Sequence, residues 1–298
     1  MIFAVFAIVI HFVLLIFFIQ WKLGMLEPKK EEMGNMSPDE YPFYYKLDLS
    51  HHRLRPLPVV RPGNYLTVEE EDILRKRFRY YNELPLWLQP RFCKRVAHFI
   101  RHKDFEGRQD LEPTTEMKVL ISAAAIKLTF GLDDYMLDHF RKIIVYPEIY
   151  YSKLSKTYNK GEASEHGIIV FSWDNFVESL EEFDNGINLG FHEYSHALLM
   201  MCSNTDIGDP CARDGYGQLS LLLSADHLST KVRETGLFRD YAFKNKMEFF
   251  AVSVENFFER PVQLREKCRE LYDLLRFMLN QDPAAEVKIS TELPRYSE

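Results

Sequence analysis

The string His192-Glu193-Tyr194-Ser195-His196 constrains this chain more than any other feature. On a helix of about 3.6 residues per turn, positions i and i+4 share a face, so the two imidazoles can meet one metal ion only if the segment is helical. Its surroundings predict a helix over 188–201. Asp184-Asn185-Gly186 is a turn signal and Asn188 a candidate N-cap, while Phe191, Ala197, Leu198 and Met201 form a broad apolar surface that has to be buried. Glu193 falls one position round from His192, where it reaches a water on the metal rather than the metal itself. H-E-x-x-H on a helix is the pattern of zinc hydrolases: the ion lowers the pKa of a water to about 7 and the carboxylate takes its proton.

A catalytic zinc site has three protein ligands and an open position, so a third donor is needed downstream. The pattern with a ligand six residues after the second histidine, following a glycine, is not supported, because those positions hold Cys202 and Leu199. The loop 204–217 offers Asp206, Asp209 and Asp214, residues that also form turns by bonding their own backbone. Glu248 is the stronger candidate. It lies in 241–260, which reads as one helix stopped by Pro261, among Phe249, Phe250, Val252, Phe257 and Phe258. A carboxylate on so apolar a helix needs a partner. Tyr241 and Glu255 each lie seven positions from Glu248, two turns along such a helix. That spacing predicts a phenol near the metal on one side and a carboxylate behind a ligating histidine on the other.

Together, Phe171-Ser-Trp-Asp-Asn175, Asn185-Gly-Ile-Asn188, Phe191-His-Glu-Tyr-Ser-His-Ala-Leu198, Tyr241, Glu248-Phe-Phe-Ala-Val252 and Glu255-Asn-Phe-Phe258 resemble the Mlc titration factor A family of zinc metallopeptidases. The resemblance spans 57–283, and the family's zinc site is in turn similar to that of the anthrax lethal factor catalytic domain. It implies that His192, His196 and Glu248 bind Zn²⁺, that Glu193 is the catalytic base and that Tyr241 assists near the oxyanion. It also implies a peptide or protein substrate, and a second role in which a transcriptional repressor is bound and titrated without turnover. Leu199 departs from the family, standing where an acidic residue is expected soon after the second histidine.

From Met1 to Ile19 the only polar side chain is His11, and Gln20-Trp21-Lys22 closes the run. About 20 residues at 1.5 Å each span the roughly 30 Å of bilayer hydrocarbon, so 1–21 is expected to be a transmembrane anchor. No basic start or small-residue cleavage site marks a signal peptide. Lys22, Lys29 and Lys30 follow the span and predict a cytoplasmic catalytic domain in a single-pass membrane protein. Residues 22–62 read as a linker, since proline recurs at 28, 38, 42, 56, 58 and 62. The remainder divides into a catalytic domain, 63–284, and a tail, 285–298.

With 46% hydrophobic residues in a chain of 298, that one domain can build its own core. A net charge of −7 and a pI near 5.9 exclude a nucleic acid as the main partner. Cys93, Cys202, Cys211 and Cys268 lack C-x-x-C spacing. Thr67-x-x-Glu70 is a capping box for a basic helix to about residue 81, and further helices are expected at 88–102 and 115–130. Strands are expected at 142–146 and 167–171, the latter as an edge able to pair with an extended peptide. The fold class is therefore α+β: a mostly helical zincin-like domain with a small sheet.

Overall fold

The computed structural model describes residues 65–203, 209–224 and 227–285. The expected anchor (1–21) and linker (22–62), and the tail beyond 285, lie outside the described residues, among which no helix is long and apolar enough to cross a membrane. The described chain is mostly helical with a small sheet.

Helix α1 (Val68–Arg77) starts at the expected capping box: the Thr67 hydroxyl accepts from Glu70 N–H, and Glu70 accepts from the Thr67 N–H. It does not run on to residue 81. Phe78 leaves helical geometry and turns into the core against Phe92, and a second short helix, α2 (Arg79–Glu83), follows. The basic residues lie on an exposed face and are paired there: Arg75 with Glu71, Lys76 with Asp72, Arg79 with Glu83. Helix α3 (Gln89–His102) leads into strand β1 (Asp104–Gly107). Helix α4 (Thr115–Thr129), capped by Thr114, is buried almost all round.

Strands β2 (Lys142–Tyr146), β3 (Tyr150–Ser152), β4 (Thr157–Asn159), β5 (Gly161–Ser164) and β6 (Ile168–Ser172) follow. β1, β2 and β6 run parallel, and β5 pairs antiparallel with β6, giving the order β1-β2-β6-β5. The strands β3 and β4 form a separate antiparallel pair. The segment 167–171 is therefore not an edge. Each of its neighbouring ladders is filled, which suits the buried run Ile169-Val170-Phe171, and the sheet's edges are β1 and the more polar β5.

Helices α5 (Trp173–Glu181), α6 (Leu189–Cys202), α7 (Pro210–Ser224), α8 (His227–Glu234), α9 (Lys246–Glu259), α10 (Pro261–Lys267) and α11 (Arg269–Leu279) complete the fold. Helix α6 starts where the sequence predicts, with the Asn188 side chain accepting from Phe191 N–H at 3.0 Å. Tyr194 and Ser195, between the two histidines, are fully buried, and the Tyr194 ring packs on Phe171 of β6 and Phe99 of α3. Gly190 allows α6 to approach α4, since a Cβ there would lie 2.9 Å from Ala124 Cβ. The helix is thus anchored to sheet and core by one face, leaving the histidines on another.

The stretch 241–260 is not one helix. Tyr241 lies in a 3₁₀ turn (Asp240–Phe243), the chain breaks at Lys244-Asn245, and the Asn245 side chain caps the new helix α9 by accepting from Glu248 N–H. Asparagine competes for backbone hydrogen bonds in a helix interior but satisfies them at an N-cap, so the helix restarts here.

Candidate metal centre

Helices α6 and α9 pack side by side, and the candidate ligands meet between them. His192 Nε2 and His196 Nε2 are 3.1 Å apart. Glu248 Oε2 lies 3.1 Å from the first and 3.6 Å from the second. Donors about 2.0–2.2 Å from a tetrahedral zinc are roughly 3.3–3.6 Å from one another, so the set fits a single ion. The chemistry of the donors agrees. Two imidazole nitrogens and one carboxylate oxygen, the donor types of a zinc site, converge on one point within 4.8 Å of one another. Among the described residues these three form the one such group that could hold a metal ion.

The charges are tightly coupled. Burial acts to lower the His192 imidazole, but the Glu248 and Glu255 carboxylates against it outweigh this and raise it to about 10. Burial likewise acts to raise the Glu248 carboxyl, and the two imidazoles hold it well below the usual carboxylate range.

Glu255, two turns beyond Glu248 on α9, is 1% exposed. Its Oε2 faces His192 Nδ1 at 3.5 Å and accepts from Arg239 Nη2 at 2.7 Å, while its Oε1 accepts from Asn188 N–H at 3.0 Å. One carboxylate thereby ties Arg239, the start of α6 and the back of the His192 ring together. With Nδ1–H turned toward Glu255, the Nε2 lone pair is left for a metal.

Glu193 lies outside the ligand group, is 5% exposed and packs against the edge strand β5. Burial raises its carboxyl, and the two histidines partly offset this. A carboxylate so raised accepts a proton closer to neutral pH. The Tyr241 ring centroid is 5.9 Å from that of His192. Burial, and then the charge of Glu248, raise its hydroxyl, which stays protonated and able to donate.

The other third-ligand candidates are placed elsewhere. Asp209 is buried, but its carboxylate accepts from the N–H groups of Asp133 and Asp134. Asp214 is exposed on α7, and Asp206 lies outside the described residues. The Cys202 thiol is buried and pushed up to about 12 by that burial, so it is no metal ligand here. Leu199 is part of the core. Sequence reasoning missed Arg239 and Gly161. Arg239 looks like any surface arginine in sequence, and the short polar segment Gly161-Glu-Ala-Ser164 carries no strand signal.

The chain is similar to several known proteins. The chain is 26% identical over 230 residues to an uncharacterized protein of Synechocystis sp., covering 69% of this chain and 81% of that one. To the Mlc titration factor A of Pectobacterium atrosepticum it is 27% identical over 212 residues, 64% of this chain and 78% of the relative. To that of Yersinia pestis it is 26% identical over 218 residues, 67% and 80%. Residues 59–279 match the model of the glucose-regulated metallo-peptidase M90 family, and the chain belongs to that family.

Proposed function

We propose that the protein is a zinc-dependent peptidase with a zincin-like catalytic domain, in which His192, His196 and Glu248 hold the ion. The observation that carries this reading is the convergence of the three donor atoms with Glu193 beside them and outside their set. Zinc held there would act as a Lewis acid, acidifying water and polarising a scissile carbonyl. Glu193 takes the proton of the attacking water and returns it to the leaving amine. Tyr241 donates its hydroxyl proton in a hydrogen bond to the developing oxyanion. Glu255, held by Arg239, keeps His192 in the tautomer that presents Nε2. An extended peptide adds to the free edge of β5, whose backbone lies against Glu193, so that strand addition brings a peptide bond to the base.

Metal analysis of the purified protein beside a digest of a diverse peptide library tests the reading. One zinc per chain and cleavage that disappears in Glu193→Gln are expected; a protein that holds zinc and cleaves nothing would overturn it. The second reading, a binder that sequesters a regulatory protein, rests on the relatives named Mlc titration factor A. Such binding would persist in Glu193→Gln.

We also propose that residues 1–21 anchor the protein in a membrane with the catalytic domain in the cytoplasm, on the strength of the uninterrupted apolar run and the lysines after it. The full chain should stay in the pellet through carbonate washing. Its release into the supernatant would end that proposal.

A further inference from the structure

A cavity of about 580 Å³ opens behind the metal helices. That volume lies within the range of small-molecule sites, roughly 300–1,000 Å³. Its wall is mainly apolar and aromatic, and it backs both ligand helices: Phe191 precedes His192 on α6, and Phe258 packs on it from α9 with ring centroids 5.0 Å apart. One cation of this wall, Lys127 of α4, stands among its aromatic rings. Its Nζ lies 4.7 Å from the Phe191 ring centroid, 5.0 Å from Tyr80 and 5.4 Å from Phe258.

Most of the other charges around the cavity are already matched, the Asp184 carboxylate excepted. Arg79 pairs with Glu83, Arg276 with Asp282, and Arg77 with Glu116 and Glu181. Glu259 accepts from the Asn188 side chain and from Asp184 N–H. Lys127 Nζ makes no hydrogen bond and no ion pair within 4.0 Å among the described residues, only the three ring contacts. Burial lowers its ammonium to about 8; Glu259 and Glu83 act against this, Arg79 with it, and Asp184 weakly against it. It therefore remains mostly charged at neutral pH. Lys127 is half-buried, and its ammonium stands in an aromatic wall at a cavity without a hydrogen-bond acceptor from the described residues.

We propose that this cavity binds a small amphipathic carboxylate, its carboxylate accepting from Lys127 Nζ and its apolar part lying along Leu84, Leu88 and Phe130. The ring contacts hold the ammonium in place, and a carboxylate ligand supplies the missing acceptor through a charge-assisted bond. The site is separate from the metal centre and independent of the peptidase reading.

Isothermal titration of the full-length, zinc-loaded protein with phenylpropionate and with phenylpropanol tests this. The acid should bind, and the alcohol of matching size should bind at least about tenfold more weakly, the difference expected for a hydrogen bond to a charged group. Lys127→Met keeps the volume and should keep zinc content and far-UV circular dichroism, while weakening the acid by about tenfold or more. Leu88→Trp, which fills the cavity, should abolish binding and covers the case in which Lys127→Met fails to fold. Equal binding of acid and alcohol, no binding of the acid by the wild-type protein, or undiminished binding in a folded Lys127→Met would each overturn the proposal.

Discussion

The Glu193 carboxylate rests against the α-carbon of Gly161 on the free edge of the sheet, so closely that a Cβ at Gly161 would lie 2.6 Å from Glu193 Oε1. Backbone and carboxylate share one surface, and only glycine leaves room for both. Gly161→Ala should therefore push Glu193 aside and leave the ligands in place. The expected outcome is a fall in kcat of about 10²-fold, typical of a misplacement near 1 Å, with zinc content unchanged. Gly217→Ala, where a Cβ meets nothing within 4 Å, is the control and should keep full activity. Equal activity in the two variants would show that Glu193 has freedom to move.

Glu193→Gln keeps size and hydrogen bonding but cannot accept a proton. Zinc should remain bound while peptide hydrolysis falls by about 10²–10⁴-fold, measured as kcat/KM on a cleaved peptide. Because burial raises the Glu193 carboxyl, the base is still protonated at pH values where an ordinary carboxylate is ionised. Activity should thus be lost, as pH falls, above the usual carboxylate value of 4.5. An acid limb at or below that value would contradict this assignment.

Glu255 touches no candidate metal position, yet it braces His192 and is itself held by Arg239. Glu255→Gln should weaken zinc affinity by about 10–100-fold, as for other carboxylates behind a ligating histidine. Arg239→Leu should do the same in milder form. Competition with a chelator of known affinity reads both, and unchanged affinity in both would remove the bracing role.

Glu248→Gln should lower zinc occupancy markedly, whereas Asp214→Asn and Cys202→Ser should not, since the first is exposed on α7 and the second is a buried neutral thiol. Zinc at a thousandfold excess over Kd stabilises a fold by about 4 kcal/mol, roughly 8–16 °C in Tm for a domain of this size. Chelation should therefore lower the Tm of the wild-type protein and barely change that of Glu248→Gln. Full zinc occupancy in Glu248→Gln would move the third ligand elsewhere.

Where the sequence sufficed, the interaction was local. His192 and His196 share a face because of helical periodicity alone, Asn188 and Thr67 cap their helices through bonds three residues long, and Glu248 on an apolar helix announced that it needed a partner. Glu255, two turns from Glu248, fell behind His192 for the same reason. Local signals also misled where a side chain had a stronger claim elsewhere. Phe78 broke the first helix to enter the core, and Asn245 took a capping role, which moved Tyr241 off the helix of Glu248 and into a 3₁₀ turn.

The remaining features depend on contacts between distant segments. Strand β5 is a strand because β6 offers it a ladder, whatever the weak preference of Gly161-Glu-Ala-Ser164, and pairing on both sides of β6 makes β5 the edge on that side of the sheet. Arg239 reaches Glu255, and Lys127 is set among three aromatic rings, only because helices far apart in sequence pack together. The sequence by itself determined the donor types and the pitch that aligns two of them. Tertiary packing alone decided which strand edge faces Glu193 and where a lysine is left without an acceptor, because burial and contact are properties of neighbours that the chain order does not name.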